Sequence, residues 1–157
     1  MAAYGEVDAL NAALGLAAVR CDDQVLIRAI SVLQHGCFAL GADLATPPGT
    51  AHEDKVQQIG DVDVTELEAA IDAIDSGNKP LKVFILPGGC ELAARLHIAR
   101  SEARRCERAM VTLASDEANG VSEAAMRWIN RCSDLLFAMA RMANRAAGVP
   151  DTPWRES

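Results

Sequence analysis

QVLIRAISVLQHGCFALGADL, residues 24–44, decides the fold. Leu26, Ile30, Leu33, Cys37, Leu40 and Leu44 follow one another in alternating steps of four and three residues. A half-buried strand would place apolar residues at every second position. This spacing instead draws one apolar stripe down a helix, and such a stripe is stable only against partner helices.

The same rhythm recurs on either side. Leu92, Leu96, Ala99, Ala103, Cys106, Met110 and Leu113 form a second seam, in a helix that starts after VFILPGG. Ile129, Cys132, Leu136, Met139 and Ala143 form a third, in a segment from about Ser122 to Ala147 that Gly148 and Pro150 close. A first helix is predicted from about Tyr4 to Arg20. Thr65 and Glu68 have the spacing of a capping box for a short helix ending near Ile74. Between them, ATPPGTAHEDKVQQIGDVD (45–63) reads as a polar loop, with Pro47, Pro48 and Gly49 stopping the preceding helix. PDTPWRES, at 150–157, reads as a mobile tail. The expected fold is all-α: a five-helix bundle forming one domain over residues 1–157.

Composition agrees. Half the residues are apolar but only 4% are aromatic, so the core is mainly Ala, Leu, Ile and Val in close-packed helices. A net charge of −7 argues against general nucleic-acid binding, which wants a basic face. There is no run of eighteen apolar residues to span a membrane and no signal-peptide pattern in MAAYGEVDAL, so a cytoplasmic location is expected. The five cysteines include no CxxC and read as free thiols of a reducing compartment. With His35, His52 and His97 they lack the spacing of a zinc site, so no metal ligands are assigned.

One feature runs against the acidic balance. In LHIARSEARRCER (96–108), Arg100, Arg104, Arg105 and Arg108 crowd together, with Arg95 just upstream. On a helix, His97, Arg100, Arg104 and Glu107 fall on one stripe beside the core seam. Guanidinium groups pair bidentately with phosphate or carboxylate, and a helix opened by Gly88 and Gly89 offers N–H groups to the same kind of ligand. A polyphosphate or multi-carboxylate partner fits. The plainer reading is a solvated face of weak surface pairs, and no Walker A or GxGxxG motif decides between the two.

Five stretches together resemble the ATP:cob(I)alamin adenosyltransferases of the propanediol-utilisation type. They are YGEVDALNAALGLA (4–17), LGADLATP (40–47), PLKVFILPGGCELAARLHIAR (80–100), RRCER (104–108) and INRCSDLLFAMARMAN (129–144), in order along nearly the whole chain. The resemblance implies a trimeric five-helix bundle with sites at subunit boundaries. It implies transfer of the 5′-deoxyadenosyl group of ATP, with Mg²⁺, to the cobalt of cob(I)alamin. Arg104 then matches the arginine that holds ATP phosphates, Glu107 an acid of the same site, and Asn130 an asparagine that contacts the nucleotide. Asp8 and Arg100 match an acid–base pair that spans the interface and supports cobalamin binding. Phe84 matches the aromatic that displaces the lower cobalt ligand, although in VFIL an ordinary core residue is the reading from pattern alone. Arg105, Arg108 and Asp134 have supporting roles, and Trp154 lies where the family's C-terminus covers the corrin. A reductase and an adenosylcobalamin-dependent mutase are the implied partners. The family's Gly- and Thr-rich ATP loop is absent ahead of MAAYGEVD, and Cys90–Glu91 follow PGG where a small polar or basic residue is usual. These departures leave open a second function, a cobalamin-binding or delivery protein without efficient ATP use.

Overall fold

The structure, a computed structural model, describes residues 2–46, 56–115 and 120–155. Pro47, Pro48, Gly49 and His52 of the expected loop lie outside these. Five helices carry the chain: α1 (Ala2–Ala18), α2 (Gln24–Ala45), α3 (Asp61–Asp75), α4 (Glu91–Ala114) and α5 (Glu123–Ala146). α4 packs between α1 and α5, α3 lies on α5, and α2 lies on α1.

The three seams form the core. Leu26, Ile30, Leu33, Cys37 and Leu40 of α2 are buried, with Leu96, Ala99, Ala103, Cys106 and Met110 of α4 and all five seam residues of α5. Leu44, Leu92 and Leu113, at the seam ends, are half-buried. α2 is long and apolar enough in composition to cross a membrane. Its seam is instead covered by protein, and Gly36 admits the Trp128 indole of α5 so closely that a Cβ there would lie 2.1 Å from Trp128 Cζ2. All five cysteines are free, and burial pushes the thiols of Cys37 and Cys106 up to about 12, so these are packing groups rather than nucleophiles.

Helix starts follow local chemistry. Asp23 caps α2, its Oδ1 accepting the N–H groups of Val25 (2.8 Å) and Leu26 (3.1 Å). Ser122 caps α5 by accepting Ala125 N–H at 3.1 Å. The expected Thr65–Glu68 cap is not formed. α3 begins earlier, at Asp61, and Asp63 Oδ2 accepts the Gly60 N–H at 2.8 Å. Acids at 61 and 63 suit the positive end of the helix, while Thr65 sits inside it and donates back to Asp61 O.

The expected mobile tail is also corrected over its described part. Thr152–Pro153 (β2) pairs antiparallel with Ile85–Leu86 (β1), Ile85 opposite Pro153 and Leu86 opposite Thr152. Trp154 N–H donates to Phe84 O at 2.8 Å, and Asp151 Oδ2 accepts from Arg141 Nε at 2.9 Å. A polar ending gives no local sign of partners so far away in sequence.

Candidate functional site

Two of the five clustered arginines are neutralised by acids within the chain, and a third bonds a backbone carbonyl. Arg95 donates to Leu16 O (2.6 Å) and pairs with Glu91 (2.6 Å). Arg105 binds Glu6 (2.5 Å) and Glu102 (2.8 Å), joining α4 to α1. Arg108 donates to Arg104 O at 3.2 Å. The start of α4 is occupied too. The Cys90 N–H is taken by Asn144 Oδ1 at 2.9 Å, and the Glu91 carboxylate, held below its usual range mainly by Arg95, supplies the negative charge there. One N–H of the anion site expected behind Gly88 and Gly89 is thus already taken, and an acid stands beside it.

Two guanidinium groups remain. Among the described residues Arg104 makes no side-chain hydrogen bond or ion pair, and it is exposed. Arg100 is half-buried, its Nε shut from solvent without an acceptor. Burial first, then the nearby Arg104 charge, draws its pKa down. One helical turn beyond Arg104, Glu107 Oε1 accepts Asn130 Nδ2–H at 2.9 Å, so α4 and α5 bring these two predicted residues together. Asn130 Oδ1 in turn accepts from Arg131 Nη2 at 2.6 Å, and Arg131 pairs with Asp134 at 3.1 Å. Arg131 thereby fixes which way the Asn130 amide faces, a role that sequence reading missed and that only its adjacency to Asn130 hinted at.

Phe84 is 81% exposed. The core reading of VFIL is thus overturned: Val83 and Leu86 are exposed as well, because no helix covers this segment. Phe84 lines a cavity of about 770 Å³ with Leu81, His97, Arg100, Phe137 and Trp154. His97 and Phe137, both unassigned from sequence, face each other with ring centroids 6.1 Å apart, and Arg100 Cζ lies 6.0 Å from the Phe137 centroid. Burial, then the Arg100 charge, lowers the His97 pKa to about 4, so this wall carries a neutral imidazole at pH 7.

Asp8 stands apart. It is exposed on α1 and lines a groove with Tyr4, Asn11 and Phe38, with no ion pair to Arg100 inside the chain. The predicted residues therefore fall into three places: Phe84 with Arg100 at the apolar cavity, Arg104 with Glu107 and Asn130 further along α4, and Asp8 on another face. Among the described residues no group of three or more His, Cys, Asp or Glu side chains is placed to hold a metal ion. The arrangement can take an apolar ligand against Phe84 and an anionic one against Arg104.

The chain is 45% identical over 139 residues to the corrinoid adenosyltransferase PduO of Salmonella typhimurium, covering 88% of this chain but 40% of that protein. It is 38% identical over 158 residues to a corrinoid adenosyltransferase of Bacillus subtilis, covering 98% of this chain and 79% of that one. A variant PduO-type ATP:corrinoid adenosyltransferase from Lactobacillus reuteri, complexed with cobalamin and ATP, superposes with a TM-score of 0.90 at 36% identity, over 99% of this chain and 85% of that one. The family model for cobalamin adenosyltransferase matches residues 1–143, and the chain belongs to that family.

Proposed function

We propose that the protein transfers the 5′-deoxyadenosyl group of ATP to the cobalt of a cob(I)alamin-type corrinoid, giving adenosylcobalamin and triphosphate. One observation carries this reading: the apolar cavity at Phe84 and the unpaired Arg104 guanidinium lie along the same helix face, with Arg100 between them in sequence. The two substrates thereby meet at one edge.

The reaction needs little covalent help. Cob(I)alamin supplies the electron pair, a Co–C5′ bond forms, the C5′–O bond breaks, and its electrons leave on triphosphate. Alignment of two bound reactants and charge on the leaving group are the protein's contribution. Arg104 holds the phosphates through its planar donor fork. Asn130, oriented by Arg131, and Glu107 complete the nucleotide side. Glu107 offers one carboxylate, so Mg²⁺ would be held chiefly by the phosphates themselves. Phe84 excludes water and the lower ligand from the cobalt, since a water against an apolar wall lacks partners.

The working assembly in this reading is a homotrimer in the cytoplasm. Arg100 has a buried N–H without an acceptor and Asp8 is exposed on a different face, so the two would meet between subunits. A reductase would supply cob(I)alamin and a mutase would receive the product. The test is incubation of the natural full-length protein with ATP, Mg²⁺ and cob(II)alamin under a strong reductant. Adenosylcobalamin is expected, and a four-coordinate cob(II) spectrum should precede it. Phe84→Ala should abolish that spectrum and leave ATP affinity nearly intact. Corrinoid binding with neither signal in the natural protein would overturn the enzyme reading in favour of a delivery protein.

A further inference from the structure

Phe84 is too exposed for core packing to hold its ring. Its place must come from the backbone of residues 79–90. That backbone has weak support of its own, because β1 and β2 pair over two residues each, and so short a pair is marginal in isolation.

The support comes from the last turns of α5. Arg141, 7% exposed, donates through Nη2 to Lys79 O (2.5 Å) and through Nε to Asp151 Oδ2 (2.9 Å), with Nη1 3.7 Å from Asp75. Three residues on and on the same face, Asn144, also buried, donates through Nδ2 to Gly88 O (3.0 Å) and accepts the Cys90 N–H (2.9 Å). Lys79 lies five residues before Phe84 and Gly88 four after. The presenting segment is thus held at both ends by side chains of the most buried helix. Glycine is required at 89 for the second clamp. Its φ is +108°, and a Cβ there would lie 2.0 Å from Asn144 Oδ1.

Neither Arg141 nor Asn144 lines the cavity. We propose that both are positioning residues for adenosyl transfer: they fix the backbone that presents the Phe84 ring, and Arg141, through Asp151, also fixes the strand bonded to the Phe84 carbonyl. This inference rests on the adenosyltransferase reading above. Remote residues acting through geometry should change the cobalt environment and turnover, not the nucleotide site.

The experiment uses the natural full-length protein with ATP, Mg²⁺ and cob(II)alamin, comparing Asn144→Ala, Asp151→Ala and Asp151→Asn. At saturating cob(II)alamin, the four-coordinate fraction and kcat should fall on the order of tenfold or more in both alanine variants, as misplaced reacting geometry costs. KM for ATP should stay within about twofold, because the phosphate ligands are untouched. Asp151→Asn, which keeps an oxygen for Arg141 Nε, should recover much of the loss. Should Asn144→Ala not fold, Asp151→Ala decides alone, since residue 151 lies beyond the last helix. Alanine variants with wild-type four-coordinate fraction and kcat would overturn the proposal, as would a loss confined to ATP binding. If the natural protein itself gives neither signal, the adenosyltransferase reading has failed instead.

Discussion

Arg104 and His97 lie on one face of α4 but differ in what surrounds them. Arg104 is exposed, and its guanidinium makes no hydrogen bond or ion pair among the described residues, so its charge is available to a ligand. Arg104→Lys keeps the charge and loses the bidentate fork. ATP affinity measured by calorimetry should fall by about 1.5–3 kcal/mol, the range for a hydrogen bond to a charged group. Unchanged affinity would return the stripe to a solvated face. His97, 5% exposed, is held neutral by burial and by Arg100, partly offset by Asp151. The unfolded chain takes up this proton near pH 6.5 and the folded one only near pH 4. Its contribution is therefore present above pH 6.5 and lost as pH falls toward 4. The lost stability is on the order of 3 kcal/mol by the shift. Urea unfolding at pH 7.5 and pH 4.5 should show wild type losing more stability than His97→Leu, and equal losses would refute the buried neutral imidazole.

At the scale of elements, helix contacts are close where small residues permit it. Gly36 lets α2 meet Trp128 of α5, which is 2% exposed. Gly36→Ala sets two effects against each other. Alanine gains up to about 1 kcal/mol of helix propensity, while overpacking costs about 1–3 kcal/mol. With a Cβ contact of 2.1 Å onto an indole, overpacking should win. A lower urea midpoint at unchanged m-value is the expected result, and a stabilised variant would show that α2 can slide away from α5. Arg105 is the polar counterpart, tying α4 to Glu6 of α1. Being half-exposed, that pair contributes little to stability and more to register.

For the molecule as a whole, Arg100 and Asp8 bear on the proposed assembly. Arg100 Nε is buried without an acceptor, and a buried unpaired donor is costly. Asp8 lines a separate groove and makes no pair with it. If the two meet between subunits, light scattering at micromolar concentration should give the mass of a trimer, and monomer alone would contradict it. Asp8→Ala should weaken cobalamin binding by about tenfold or more, the scale of one lost charged hydrogen bond, with a smaller effect on protomer unfolding.

The helices and their buried faces were legible because the seams at 26–44, 92–113 and 129–143 are local: a periodicity of 3.5 fixes both the helix and the side that must be covered. The pairing of Glu107 with Asn130 was half legible, since the resemblance put both on one nucleotide site while only α4–α5 packing sets the contact. Other features were decided by tertiary structure alone. Phe84 lies in an apolar run yet is exposed, because whether VFIL is covered depends on which helix passes over it. Arg105 and Arg108 look like Arg104 in sequence and differ only in whether Glu6, Glu102 or a carbonyl is within reach. The C-terminal strand and the Arg141–Asn144 clamp join segments that are near each other only in space. Periodicity is written in neighbouring residues, whereas a hydrogen bond between distant segments exists only after the bundle has brought them together.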